Sequence, residues 1–483
     1  MHVYDTLFIG GKFVPPASTE TVDIISSSTE EVIGRIPATT TDDIDAAVAA
    51  ARSAFDDPTG WSTWEPARRA EVLDRLADEI EARVEELTPL VAQQNGMPIT
   101  LAHQLESALP AGIYRYYAEL ARTTEFEEVR PGVLGGRAVV RHLPVGVVGM
   151  VIPWNYPNLI CATKMGPALA AGCTVVMKQS IETSLDSYIM AEAIQAAGVP
   201  DGVINFVPGG GATGAHLVAH SDIDKVSFTG STAVGQEIGT KCGELMRPVT
   251  LELGGKSAGI VLDDADLAAS VENLFVATLV NNGQTCVLSS RVLAPRSRYD
   301  EVVETLAGLF SSVKVGDALD PETQVGPVVS KRQLDRIRGY IAKGIEEGGR
   351  VVVGGADRPE GLDKGWFVQP TLFADVEPDS TIAQEEIFGP VVLVMPYDDI
   401  DDAVRIANGT KYGLAATIWT SDEEKGRELS RRIEAGTVGI NHFMTEPVAP
   451  FGGMKASGLG RELGPEGLAS CQHLQTVYLP PAS

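Results

Sequence analysis

The chain has 483 residues, 44% hydrophobic and 21% charged, and its 38 Lys and Arg against 65 Asp and Glu leave a net charge of −27. A surface this acidic repels phosphate backbones and anionic headgroups, so neither nucleic acid nor a membrane is expected as a partner. The length calls for two or three domains, and five scattered cysteines without a CxxC pair and seven histidines without ligand spacing argue against a disulfide framework or a metal site.

The opening MHVYDTLFIGGKF carries no basic n-region, and the longest apolar runs, such as GVVGMVIP, fall far short of a bilayer span. A cytoplasmic protein is therefore expected. Residues 41–123 read as helical. TDDIDAAVAAARSAF offers Thr41 and Asp42 as caps before an Ala-rich stripe. The run PARRAEVLDRLADEIEARVEELTPLVAQQNG has i, i+3, i+4 apolar spacing and closes on glycine. At 137–151, RAVVRHLPVGVVGMV turns β-branched and glycine-rich, and strands are expected to begin there.

From residue 172 strands and helices alternate. TVVMK precedes ETSLDSYIMAEAIQAAG, GVINFVPG precedes GATGAHLVAH, and KVSFTG precedes STAVGQEIGTKCGEL; VTLELGG and AGIVL follow. Such alternation predicts a parallel sheet. A second set after 263 (helix ADLAASVENLFVATLV, strand RVLAP, helix YDEVVETLAGLFSSV, strands ATIWT and GTVGIN) predicts a second α/β domain. The tail SCQHLQTVYLPP reads as a lone strand, which needs a partner edge from 124–143 or from another subunit.

Several residues are candidates for chemistry. Cys286 sits in the polar stretch NNGQTC, where it is either a nucleophile or a small buried hydrophobe. Glu252 lies inside the apolar strand VTLELGG, as a general base or half of a buried ion pair. Asn155, stiffened by Pro153 and Pro157, is an oxyanion donor or a turn residue. Lys178 ends TVVMK and reaches a ribose or phosphate, or simply solvent. Two glycine loops compete for a phosphate: GxGxxG at Gly209, Gly211 and Gly214, and FTGSTAVG, where Gly230, Ser231 and Gly235 open a helix. Spacing does not choose between them.

Taken in order, Trp154-Asn155-Tyr156-Pro157, Phe228-Thr229-Gly230-Ser231, Leu251-Glu252-Leu253-Gly254-Gly255-Lys256, Gly283-Gln284-Thr285-Cys286, Glu386-Ile387-Phe388-Gly389-Pro390 and Pro450-Phe451-Gly452-Gly453 resemble the NAD(P)-dependent aldehyde dehydrogenase superfamily over nearly the whole chain. The resemblance implies an α/β fold of three parts. These are a parallel-sheet cofactor domain (1–123 and 144–254), an α/β catalytic domain (255–468) and a small β oligomerisation extension (124–143 and 469–483), in a homodimer or homotetramer. It implies Cys286 as the nucleophile that forms a thiohemiacetal and then a thioester, Asn155 as oxyanion donor, and Glu252 as the base for the hydrolytic water. Glu462 matches a position that passes protons outward. The cofactor is expected to be NAD, with NADP left open, held by Trp154, Lys178, Ser180, Phe228, Gly230, Ser231, Leu253, Glu386 and Phe388, the FTGS loop being the one the family uses.

One position departs from the pattern. Many NAD-preferring relatives carry Glu three residues after the strand-ending Lys; here that place is Ile181, and Glu182 comes one later. No arginine is expected nearby as a phosphate partner, which favours NAD. A tunnel near Tyr156, Thr163, Thr285, Phe443 and Phe451, with His442 and Glu446 at its rim, predicts a neutral aliphatic or aromatic aldehyde as substrate. The rival readings are a CoA-acylating relative, which usually lacks the Glu252 equivalent, a thiol hydrolase, which needs a His beside the Cys, and a non-catalytic binding protein on the same fold.

Overall fold

The strand Thr174–Lys178 (TVVMK) is buried on both faces, as expected of a central strand in a parallel sheet covered by helices. In the computed structural model, which describes residues 1–480, it lies inside an eight-stranded sheet. Five parallel strands form the heart of that sheet, in the spatial order Ile204–Phe206, Thr174–Lys178, Val147–Val151, Lys225–Thr229, Val249–Glu252. Chain order thus reverses between Val147–Val151 and Lys225–Thr229. A cleft opens outside the carboxyl ends of the strands at such a reversal.

A second, seven-stranded sheet runs through Thr371–Ala374, Val391–Tyr397, Arg291–Pro295, Ala258–Val261, Ala415–Trp419 and Thr437–Ile440, all parallel, with Arg350–Val353 antiparallel at one edge. The chain passes from the first sheet to the second through Leu253–Ser257, so Glu252 ends one sheet just before the other begins. The third sheet has three strands. Gln472–Leu479 pairs antiparallel with all eight residues of Arg137–Pro144, which in turn pairs with Glu127–Pro131. The tail strand therefore finds its edge within 124–143 of its own chain; residues 481–483 of the expected extension lie outside the described residues.

Three expectations are corrected. Strands do not begin at 137: Leu7–Ile9, Lys12–Val14, Thr21–Ile25 and Val32–Pro37 precede it. These are short; Leu7–Ile9 and Lys12–Val14 form a hairpin across Gly10-Gly11, and Leu7–Ile9 also borders Ile204–Phe206, almost two hundred residues away. The first helix, Thr41–Asp56, is capped by Thr40 rather than Thr41 or Asp42, because Asp43 returns a hydrogen bond to the Thr40 backbone and closes a capping box. The helix before the thiol covers only Val271–Leu279, not the full ADLAASVENLFVATLV. The helical run after residue 65 closes at Gly96, φ 81°, as its terminal glycine predicts, after an interruption between Pro66–Glu81 and Val84–Asn95; a π-turn, His103–Ala108, follows.

Candidate active site

The segment that carries Cys286 is shaped by its asparagines. Asn281 and Asn282 adopt left-handed φ values of 52° and 60°, and Gly283 follows at 75°. Asn tolerates this region better than most residues. Each side chain then ties down neighbouring backbone. Asn281 Nδ2 donates to the Asn155 carbonyl at 3.0 Å, and Asn282 Nδ2 donates to the Gly96 and Pro327 carbonyls at 2.7 and 2.9 Å. Gln284 Nε2 donates to Asn95 O, and its Oε1 accepts from Val329 N at 2.9 Å. This network is why a polar stretch surrounds the thiol. A Cβ on Gly255 would stand 2.5 Å from the Cys286 carbonyl, so the Gly254-Gly255 turn lets the two sheets meet at that point.

Asn155, the expected oxyanion donor, is buried and locked in place. Its Nδ2 donates to Gln284 O at 3.0 Å, and its carbonyl accepts from Asn95 and Asn281. The next residue, Tyr156, shares a 2.7 Å hydrogen bond with Thr285 beside the thiol. The helix Pro157–Ala171 that starts here has no side-chain cap of its own. Glu106, fully buried on the π-turn, supplies one from a distance: its Oε2 accepts from Asn158 N at 2.7 Å. Sequence reading missed Glu106 and Gln284. A carboxylate amid LAHQLESAL is a faint signal, and only the tertiary fold places it over that helix end.

Cys286, Asn155 and Glu252 converge on one cavity of about 250 Å³. Tyr156, Thr163, Thr285, Phe443 and Phe451 all line it; His442 and Glu446 do not. Glu252 is 4% exposed, and among the described residues neither carboxylate oxygen has a hydrogen-bond partner. Burial, and then the nearby Glu462, push its pKa well above the usual carboxylate range, against the pull of Lys164 and Arg461. Glu462 itself accepts from Lys164 Nζ at 2.5 Å and from Ser227 Oγ at 3.1 Å, both buried. The bland reading of Glu252 as half of a buried ion pair therefore fits Glu462 instead. Burial raises the Cys286 thiol to about 12, with Glu386 and Glu252 adding to the shift, so the resting sulfur is protonated.

On the other side of the thiol a cleft of about 730 Å³ lies at the reversal of strand order. Trp154, Lys178, Ser180, Phe228, Gly230 and Ser231 line it. Gly210, Gly211 and Gly214 line it too, so the two competing glycine loops face one space. The FTGS loop opens the thirteen-residue helix Thr232–Glu244, whose N-terminus suits a phosphate. Burial lowers the Lys178 ammonium to about 8, offset in part by Glu182. Phe388, at φ 63°, sets its ring edge-on to Trp154 with centroids 5.4 Å apart. Glu386 accepts from Gly255 N at 3.1 Å, and burial raises it to about 7. Glu386 and Phe388 share a small crevice with Cys286, between thiol and cleft. Leu253 is not on the cleft wall; it packs under Gly235, where an added Cβ would lie 2.3 Å from it. The expectation that no arginine stands near the ribose end is overturned: Arg332, distant in sequence, lines the cleft beside Lys178 and Glu182.

The sequence model of the aldehyde dehydrogenase family matches residues 13–477. The chain belongs to the aldehyde dehydrogenase family. It is 51% identical over 473 residues to the geranial dehydrogenase of Castellaniella defragrans, covering 98% of both chains. Its fold is that of a Mycobacterium tuberculosis aldehyde dehydrogenase solved with NAD+ (TM-score 0.97, 45% identity, 100% of this chain and 99% of that one). It also matches an aldehyde dehydrogenase C mutant of Pseudomonas syringae solved with NAD+ and octanal (TM-score 0.95, 37% identity, 99% and 98% of the chains). This aldehyde dehydrogenase has no helix, among the described residues, long and apolar enough to cross a membrane.

Proposed function

We propose that this aldehyde dehydrogenase oxidises neutral, apolar aldehydes to carboxylic acids with NAD+, through a thioester on Cys286. The observation that carries the reading is the convergence of a thiol, a fixed amide and an unpartnered buried carboxyl on one cavity that backs onto a nucleotide-sized cleft. The cavity wall is aliphatic away from the thiol, with Leu101, Leu105, Leu109, Ile113, Leu159 and Ile160, and no Lys or Arg lines it to pair with a charged substrate. The relatives that act on geranial or were solved with octanal support an apolar chain of that kind.

Trp154, Lys178, Ser180, Phe228, Gly230, Ser231, Glu386 and Phe388 would hold the dinucleotide, with Leu253 packing beneath the phosphate-binding helix. When bound, the dinucleotide takes up the hydride that the aldehyde carbon gives up. The chain's own residues do the rest. Sγ of Cys286 bonds to the carbonyl carbon as its proton is lost to solvent water. The oxygen gains negative charge against Asn155 Nδ2 and the Cys286 N–H. After oxidation, Glu252 takes a proton from water as that water attacks the thioester, and the thiolate leaves. Glu462, Lys164 and Ser227 give the Glu252 proton a polar route away from the cavity. Glu252 argues against release of the acyl group to CoA.

We assign 1–123 and 144–254 to cofactor binding, 255–468 to catalysis, and 124–143 with the tail to assembly. The exposed Leu474 and Tyr478 on the three-stranded sheet support a homodimer or homotetramer. Five cysteines that are all free support a cytoplasmic location. The functional test is a panel of octanal, geranial, benzaldehyde and succinic semialdehyde with NAD+, read as absorbance of reduced nicotinamide. Turnover of the first two, with the charged aldehyde poor, is expected; preference for the charged aldehyde would overturn the substrate reading.

A further inference from the structure

The turn that follows the strand Thr174–Lys178 decides which side chain faces the ribose end of the cleft. Ile181 opens a single 3-10 turn, Ile181–Thr183, and its side chain lies 3.8 Å from where a Cβ on Gly210 would stand. It is packed against the hydrophobic core. Glu182, one residue on, lines the 730 Å³ cleft and also an adjoining cavity of about 410 Å³. Lys178, Ser180, Gly210, Gly211 and Arg332 line both as well. The carboxylate thus sits at the junction of two spaces.

Two groups hold it there. Ser180 Oγ donates to Glu182 Oε2 at 2.5 Å, and Arg332 Nη2 lies 3.7 Å from Oε1. Arg332 is on the second residue of the helix Lys331–Glu346, which packs on the second sheet, so the pair spans the cleft from one α/β layer to the other. The arginine side chain is 85% exposed and the Glu182 side chain 31%, so the guanidinium is free to turn. Of the other acids here, Asp23 on the adjoining cavity is paired with Arg35, and Glu237 lines the cleft on the helix Thr232–Glu244.

A carboxylate at the adenosine ribose accepts hydrogen bonds from the hydroxyls and repels a 2′-phosphate; an arginine in its place attracts one. Here both stand at one point, and the carboxylate neutralises the arginine. We infer that Glu182 selects NAD over NADP in this protein, that Arg332 holds it against the cleft, and that without the carboxylate Arg332, Lys178 and Ser180 form a site for the 2′-phosphate. The inference rests on the assignment of this cleft to the dinucleotide. It accounts for a chain that lacks the acid at position 181: the acid is displaced by one residue, and an ion pair across the cleft returns it to the ribose. The selection works by repulsion, with the attractive groups already in place behind it.

The test uses adenosine fragments, so it does not depend on turnover. Binding of 5′-AMP and 2′,5′-ADP is measured by calorimetry on the wild-type protein, Glu182→Gln and Glu182→Gln/Arg332→Ala. Wild type is expected to bind 5′-AMP at least about tenfold more tightly than 2′,5′-ADP. Glu182→Gln should tighten 2′,5′-ADP by about tenfold or more, and the double variant should lose that gain. A 2′,5′-ADP affinity that Glu182→Gln leaves unchanged, or a gain that survives loss of Arg332, would overturn the inference. Failure of wild type to bind either fragment would overturn the cleft assignment itself, and the selection with it.

Discussion

The cavity that holds Cys286 and the cleft at the reversal of strand order share Thr229 on their walls, but Glu252 in the one and Glu182 in the other are held in opposite ways. In the cleft Glu182 is held by Ser180 and Arg332. In the cavity Glu252 has no hydrogen-bond partner among the described residues and is surrounded by apolar wall. A paired carboxylate keeps its charge and its position. An unpaired buried one costs stability and favours the proton. On the proposed function, the difference teaches that the two sides have different tasks: the cleft would grip a charged ligand, and the cavity would keep a carboxyl ready to exchange a proton next to the thioester.

The largest expected effect comes from removing the thiol. Cys286→Ala should lower aldehyde oxidation by roughly 10⁶-fold, as loss of a nucleophile does, while fragment binding in the cleft is unchanged. Appreciable residual turnover would break the division of labour. Glu252→Gln should lower steady-state turnover by about 10²- to 10⁴-fold yet leave a burst of one reduced nicotinamide per site; an undiminished steady state would remove its role in hydrolysis. Asn155→Ala should cost about 10²- to 10³-fold in kcat.

Glu106 sharpens the comparison from behind the cavity. As the remote cap of the helix Pro157–Ala171, it is a positioning residue for Asn155. Glu106→Leu should lower kcat about fivefold, in line with the loss of a cap worth about 1 kcal/mol. KM for octanal should change less than kcat, and Glu106→Gln should recover part of the loss; equal effects of the two variants would point to a packing role alone.

The mildest perturbation is pH. Burial raises Glu252, so its carboxylate form is reached only well above the pH at which an ordinary glutamate ionises. The base is therefore present at high pH and lost as pH falls through the raised value. On the proposed role of Glu252, steady-state turnover should decline on the acid side at a pH above the ordinary glutamate range. A profile flat down to about pH 5 would contradict the burial argument.

Much of this was legible because the chemistry sits in contiguous motifs. Trp154-Asn155, Glu252 and Cys286 lie at strand ends or just after a helix, where alternation of apolar runs marks them, and all three meet at one cavity. Of the N-terminal strands, the hairpin of Leu7–Ile9 and Lys12–Val14 is marked by Gly10-Gly11, but its place in the first sheet was not legible, because its partner there, Ile204–Phe206, is far along the chain. Arg332 and Glu106 escaped for the same reason. Each lies in an ordinary helical context, and its partner, Glu182 or the Asn158 N–H, is far along the chain. Even the rival glycine loops could not be ranked from sequence, since both open helices on the same cleft.

The most direct measurement is intact-protein and peptide mass spectrometry on Glu252→Gln mixed with octanal and NAD+ and quenched within one turnover. An acyl group on Cys286, formed only when the oxidised nucleotide is present and persisting because hydrolysis is slowed, is the predicted result. An unmodified Cys286 alongside reduced nicotinamide, or an adduct on any other residue, would contradict the account.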